Sequence, residues 1–167
     1  MSVSLYLLMK LLHVLAAFWF ISGLVGRDFA FWWAGRSRDV QAIHALLQIS
    51  DFFERYAVVP VSAAVLLFGL IVTWMQKWPL FGFLQGSSSN WLLVSFVLFI
   101  GISAVIGPLG LVSRRKERTR AMQEALAQET ATPRLMAALH DKVVTRFRAV
   151  ELTIVIIIVI LMVLKPL

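Results

Sequence analysis

Four long apolar segments constrain this chain more than any other feature of its sequence. They run from about residue 4 to 26, 57 to 76, 91 to 113 and 145 to 165. Each is close to the 20 or so residues that a helix needs to cross a hydrocarbon core of roughly 30 Å. Because a backbone inside lipid must satisfy its own hydrogen bonds, we expect an all-α membrane domain with four spanning helices in a bundle. The uninterrupted apolar run of the fourth segment, residues 152 to 164, is too short to span alone, so Arg146 and Arg148 are included and are predicted to reach toward the membrane surface.

The composition agrees with a membrane protein. Of 167 residues, 60% are hydrophobic and only 15% are charged, an apolar share well above that of an ordinary soluble domain. The chain has no cysteine, which excludes disulfides, thiolate metal sites and cysteine catalysis. In a soluble protein the net charge of +7 would suit nucleic acid, but in a membrane protein a basic excess marks the cytoplasmic loops. We therefore expect the lipid bilayer, and no nucleic acid, as a partner.

The distribution of Lys and Arg predicts the orientation of the chain. Thirteen of these 16 residues lie in or beside the first and third connections, and only Lys10, Lys77 and Lys165 lie on the other side. By the positive-inside rule, the two basic connections face the cytoplasm and both termini face the periplasm.

The third connection, residues 114 to 144, is predicted to be helical and cytoplasmic. Its apolar residues recur with helical spacing. Thr132 followed by Pro133 is typical of an N-cap and the first turn of a new helix, which is expected to continue into the fourth span. The basic run at residues 114 to 120 is predicted to contact anionic headgroups of the inner leaflet.

Small residues recur in the apolar segments, where they let helix backbones approach closely in lipid. The residues predicted to serve this role are Ala16, Ala17, Gly23, Ala63, Ala64, Gly101 and Ala104.

The first functional candidate is His13, in the middle of the first segment. At a rise of 1.5 Å per residue it lies roughly 13 Å inside the membrane, where an ionisable side chain is a functional candidate by default. Met9 shares its helix face, and Met162 is predicted on the same outer side. Imidazole and thioether groups suit copper or haem iron, so His13, Met9 and Met162 are candidate ligands of haem b or copper. In the alternative, His13 packs against a carbonyl or hydroxyl of a neighbouring helix, with Lys10 reaching outward.

Polar residues near the ends of the segments form a second candidate group. Its members are Lys10, Arg27, His44, Asp51, Arg55, His140 and Glu151. Asp51 and Arg55 are one turn apart and are predicted to pair, while Glu151 requires a cation such as Arg55 or Arg27. His44 and His140 are expected to lie near each other on the inner side, too far from His13 to share a haem with it. These residues are either a network that fixes the helices or a proton path or catalytic site.

Three stretches carry a resemblance to a known family. They are the L-Y-L-L-M-K-L-L-H-V-L-A-A of residues 5 to 17, the Arg114-Arg115-Lys116 run, and the L-M-V-L-K-P of residues 161 to 166. Together they resemble the bacterial family of predicted integral membrane proteins known as domain of unknown function 2269. This resemblance implies a multi-pass protein of the bacterial inner (cytoplasmic) membrane and supplies no activity.

The opening stretch is also similar to the first helices of CopD-like copper-resistance proteins and HemJ-type protoporphyrinogen oxidases. In the latter group a first-helix histidine is associated with haem binding, so the similarity implies a ligand role for His13. The chain departs from these relatives at Phe20-Ile21-Ser22-Gly23, where Trp-Gly-Gly is usual. Two functions stay open: a haem- or copper-binding membrane protein with a redox or porphyrin-linked role, and a non-catalytic accessory or assembly subunit of a homo-oligomer or larger membrane complex.

Overall fold

The computed structural model describes residues 3–86, 89–102 and 107–165. Within these ranges every regular element is helical, as predicted. The elements are α1 (Val3–Ala34), α2 (Val40–Phe53), a π-helical segment (Glu54–Val58), α3 (Val59–Gln76), a 3-10 turn (Gly82–Gln85), α4 (Trp91–Ile100), α5 (Gly107–Ala127), α6 (Pro133–Leu139) and α7 (Lys142–Leu164).

Helix α1 and the continuous α2–π–α3 helix form a long antiparallel hairpin. Helix α2 begins where it does because the Asp39 side chain accepts hydrogen bonds from the backbone N–H groups of Gln41 and Ala42. Helix α3 ends where Lys77 adopts a left-handed conformation, with φ at 54°. Since the connection between α1 and α2 is short, the two arms lie against each other along much of their length.

The π-helical segment lies just before Pro60, and that proline explains it. Proline lacks an N–H group, and in regular α geometry its ring clashes with the carbonyl of the residue four positions earlier, here Tyr56. A wide π turn immediately upstream relieves this clash while the helix continues. The segment divides the long helix into α2, which contains the charged Asp51, and α3, which contains no charged residue.

Three helical stretches in the described part of the chain are long and apolar enough to cross a membrane. They are Ser4–Ala34, Val40–Gln76 and Pro133–Leu164. The predicted span at residues 91 to 113 is described in part: α4 is a shorter apolar helix, and residues 103–106 lie outside the described residues. The all-helical, multi-pass class is thus confirmed, with three candidate spans.

Two apolar clusters hold the helices together. The inner cluster contains buried residues of α1, α2, α5, α6 and α7, namely Phe31, Ala34, Val40, Ile43, Leu47, Ala121, Met122, Ala125, Leu135, Leu139 and Val144. The span cluster comprises Phe20, Leu24, Val58, Ile102 and Val155. Burial from water stabilises the inner cluster, whereas in lipid close packing has to stabilise the span cluster.

The connection after residue 113 is helical, but it is divided differently from the prediction. The Thr132 hydroxyl caps α6 by accepting a hydrogen bond from the N–H of Leu135, as expected. Helix α6 does not continue into the last span, because it ends at His140 and a new helix begins after Asp141. The Asp141 carboxylate accepts a hydrogen bond from the N–H of Val143 and so acts as the N-cap of α7.

Close helix contact is concentrated at two glycines of α1. A Cβ atom placed on Gly23 would lie 2.7 Å from the Cβ of Ala57, and one placed on Gly26 would lie 2.9 Å from the Phe53 ring. The prediction of a contact role is therefore confirmed for Gly23. At Gly101 no atom of the described residues lies within 4 Å of such a Cβ. Ala104 lies outside the described residues.

Candidate functional site

Arg27 of α1 is buried, and carboxylates surround it. Its side chain is 5% exposed. The Nε atom donates to Asp28 Oδ1 at 2.9 Å, Nη1 to Glu54 Oε2 at 2.8 Å, and Nη2 to Glu151 Oε2 at 2.6 Å. These partners come from α1, the π segment and α7. Because the guanidinium presents its donors in a rigid planar fork, one cation holds three segments of the chain together.

Arg148 of α7 extends this arrangement. Its Nη1 donates to Asp28 Oδ1 at 2.8 Å, so Asp28 bridges two arginines. Its guanidinium carbon lies 4.0 Å from the centre of the Phe31 ring, a distance suited to a cation–π contact. The side chain therefore points into the protein, and the prediction that Arg148 reaches toward the membrane surface is wrong.

A second set of ion pairs links α5 to its neighbours. Asp51 accepts hydrogen bonds from Arg115 Nη2 at 2.9 Å and from Arg118 Nη2 at 3.3 Å. Arg114 pairs with Asp141. Burial lowers the pKa of Arg118, and the nearby Asp51 carboxylate opposes this lowering. Three of the basic residues predicted to contact lipid headgroups thus contact carboxylates of the protein.

These ion pairs fall into three groups, around Arg27, around Asp51 and between Arg114 and Asp141, which we call together the ion-pair network. It contains five arginines and five carboxylates, namely Arg27, Arg114, Arg115, Arg118, Arg148, Asp28, Asp51, Glu54, Asp141 and Glu151. The other 11 basic and four acidic residues therefore account for the whole net charge of +7. The group around Arg27 has one carboxylate in excess and the group around Asp51 has one arginine in excess, so the charges cancel over the three groups together.

The network includes some of the predicted polar residues and excludes others. Glu151 lies against Arg27, one of the two cations considered for it. The predicted pairing of Asp51 with Arg55 is wrong, because the largely buried Arg118 and its neighbour Arg115 occupy that carboxylate. Arg55 is instead exposed, and its guanidinium carbon lies 5.8 Å from the centre of the Tyr56 ring.

The two inner histidines bond within their own helices. Gln48 Nε2 donates to His44 Nε2 at 3.3 Å, and His140 Nδ1 donates to the Met136 carbonyl at 2.9 Å. Lys10 is exposed on α1. None of these three predicted residues has an ion pair with the network in the ranges that the structure describes.

Sequence reasoning missed Asp28 and Arg148 as members of the network. The signal available was their spacing, because Asp28 directly follows Arg27 and Arg148 lies three residues before Glu151. Residues of opposite charge that lie within a few positions of each other at the edge of an apolar run are candidates for a buried set of ion pairs.

His13 lies between α1 and α3. Its Nδ1 atom is 3.0 Å from the carbonyl oxygen of Val65, and the ring fits because Gly69 has no side chain: a Cβ there would lie 3.0 Å from His13 Cε1. Since a carbonyl only accepts hydrogen bonds, Nδ1 carries the proton, and in the neutral ring Nε2 keeps its lone pair. The described residues provide no hydrogen-bond partner for Nε2.

The proposed thioether ligands lie on two different helices. Met9 is one turn before His13 on α1, Met162 is near the end of α7, and both are half-buried. Among the described residues, no three His, Asp or Glu side chains are grouped to hold a metal ion. A carbonyl bond at the other ring nitrogen is the usual arrangement around a metal-binding histidine, so His13 fits one ligand position.

The family comparison bears on all of these residues at once. The model of the predicted integral membrane protein family (DUF2269) matches residues 7–166. The chain belongs to this family. The resemblance inferred from the sequence is thereby confirmed over nearly the whole chain, from before His13 to beyond Met162. No curated protein and no solved structure matches the chain.

Proposed function

We propose that this family member is a non-catalytic accessory or assembly subunit of a membrane complex, whose polar residues in the spans hold its helices in place. One observation carries this proposal: each side-chain nitrogen of Arg27 donates to a different carboxylate, and the three carboxylates come from three segments. A proton path requires acidic groups that can gain and lose protons. The three acids are instead engaged by a guanidinium, a group that does not give up its proton in proteins.

A second function is supported by the hydrogen bond of His13. With Nδ1–H directed to the Val65 carbonyl, the Nε2 lone pair is available to a metal. Met9 or Met162 would supply a thioether group for a second ligand position. Haem b or copper bound there would supply one-electron chemistry. In this alternative the Val65 carbonyl fixes the orientation of the imidazole.

The two functions make opposite predictions for the protein purified in detergent. An accessory subunit is expected to be colourless and free of metal. The substitution His13→Ala is then expected to lower the free energy of unfolding by about 1 kcal/mol, the worth of one hydrogen bond. Visible spectroscopy, metal analysis and denaturant unfolding measure these quantities.

A Soret band or bound copper that disappears in His13→Ala would instead establish the ligand role. His44→Ala is the matched control, because His44 also has a hydrogen bond but within its own helix. A cofactor signal lost equally in both variants would argue against His13 as the specific ligand.

We further propose that four helices span the bacterial inner membrane, with both termini in the periplasm. Helix α4 supports the predicted span at residues 91 to 113, since α4 is apolar and contacts α7. The inner cluster and the ion-pair network also lie at the end of the helices that carries the basic connections. Lys10, Lys77 and Lys165 lie at or near the other ends of the apolar segments, away from the basic connections.

This orientation predicts where fused reporters work. Alkaline phosphatase fused after Leu167 is expected to be active, because it folds in the periplasm. The same enzyme fused after Gln128, between α5 and α6, is expected to be inactive, and a fluorescent protein is expected to give the reverse pattern. Fluorescence from the Leu167 fusion would place the carboxyl terminus in the cytoplasm and overturn the orientation.

A further inference from the structure

Several basic residues on the predicted cytoplasmic side have no carboxylate partner within the described residues. They are Arg36, Arg38, Arg55, Lys116, Arg120, Lys142 and Arg146. The charges of the ion-pair network cancel, so the network adds no net attraction for anions. On this side of the protein, these seven unpaired basic residues are therefore the candidates to bind an anion.

Two of these cations lie at the level where the apolar spans begin. Arg55 directly follows Glu54, which contacts Arg27, and Arg146 lies two residues before Arg148. At 1.5 Å per residue, both positions are within roughly 3 Å of the network along their helix axes. Both side chains are exposed, so they lie on the outer perimeter of the protein at this level.

Aromatic side chains mark the same level as the membrane surface. Tyr56 is 56% exposed, and the guanidinium carbon of Arg55 lies 5.8 Å from its ring centre. Trp32 and Trp33 are exposed on α1, between one and two turns on the water side of Arg27. Tyrosine and tryptophan are enriched where lipid headgroups meet the hydrocarbon. The exposed arginines at this level therefore face the phosphate region.

We propose that Arg55 and Arg146 bind the phosphate groups of anionic phospholipids. The planar guanidinium fork matches a phosphate, and neither arginine has a carboxylate of the protein to compete with the lipid. This moves the headgroup contact from residues 114 to 120, where Arg114, Arg115 and Arg118 already donate to carboxylates, to the perimeter of the spans. The proposal goes beyond the function proposed above and does not depend on it.

Native mass spectrometry of the full chain in a neutral detergent tests this proposal. The protein is titrated with phosphatidylglycerol or with phosphatidylcholine of matched acyl chains. The unmodified protein is expected to bind phosphatidylglycerol more tightly. Arg55→Gln and Arg146→Gln are each expected to weaken that binding about fivefold, and the double variant more than tenfold, with a smaller loss for phosphatidylcholine, whose choline cation offsets the charge of its phosphate.

Arg38→Gln is the matched control. It removes the same charge from an exposed arginine that has no carboxylate partner among the described residues. Arg38 lies just before the start of α2, and that start is roughly 20 Å along the helix axis from Arg55. Binding of phosphatidylglycerol to this variant is expected to change less than twofold. An equal loss in Arg38→Gln would overturn the proposal in favour of diffuse charge attraction. So would equal binding of the two lipids by the unmodified protein, a comparison that needs no variant to fold.

Discussion

Replacing Arg27 with methionine is expected to lower the free energy of unfolding by roughly 3–5 kcal/mol, the usual cost of removing one partner from a buried ionic group. The substitution leaves Asp28, Glu54 and Glu151 without the cation that each of them contacts. Only Asp28 keeps a second arginine, Arg148. Reversible unfolding in mixed micelles provides the measurement.

Arg55→Met is the control for this experiment, since it removes an exposed arginine from the π segment next to Glu54. That change is expected to stay within about 0.5 kcal/mol of the unmodified protein, as for most surface substitutions. Adding Glu151→Gln to Arg27→Met is expected to restore part of the lost stability, because it removes one of the carboxylates left without a partner. If Arg27→Met and Arg55→Met prove equally stable, the network does not hold the helices, and the structural role proposed for it is wrong.

The second large effect is expected at the contact between α1 and the π segment. Gly23→Ala places a methyl group 2.7 Å from the Cβ of Ala57, which has no torsion to rotate away, so the two backbones must separate. Overpacking should exceed the gain in helix propensity from glycine to alanine, for a net loss of roughly 1–2 kcal/mol. The same unfolding measurement detects it.

Two further variants show whether the loss comes from this contact. Gly101→Ala makes the same chemical change where no atom of the described part of the chain lies within 4 Å of the new methyl group, and it is expected to leave stability unchanged or slightly raised. The double variant Gly23→Ala with Ala57→Gly moves the methyl group to the opposite helix and is expected to recover most of the loss. Equal effects at Gly23 and Gly101 would exclude a specific role for the close approach.

The helices themselves could be predicted because their signals are local. Long apolar runs predicted α1, α3 and α7, and Thr132 before Pro133 predicted the start of α6. One of the two environments considered for His13, a neighbouring helix carbonyl, is also the one that Val65 provides. These inferences needed only the chemistry of a side chain and the period of a helix.

The partners of the charged residues could not be predicted, because they depend on which helices meet. The spacing of Asp51 and Arg55 suits a pair on one helix, but α5 brings two arginines to Asp51 from far along the chain. For the same reason the basic run of α5 resembles a surface cluster in the sequence, although three of its five basic residues pair with carboxylates of the protein. Pro60 was the available signal for the π segment, because Glu54–Val58 contains no proline or glycine of its own.

The arrangement around Arg27 also has a consequence for biosynthesis. The two arms of the hairpin are synthesised before the later helices, and they already contain Asp28 and Glu54 to compensate Arg27. The last helix arrives much later and brings one cation and one anion, Arg148 and Glu151, so its delivery leaves the charge balance unchanged. Carboxylates for Arg27 are therefore present in the hairpin before the last helix is made.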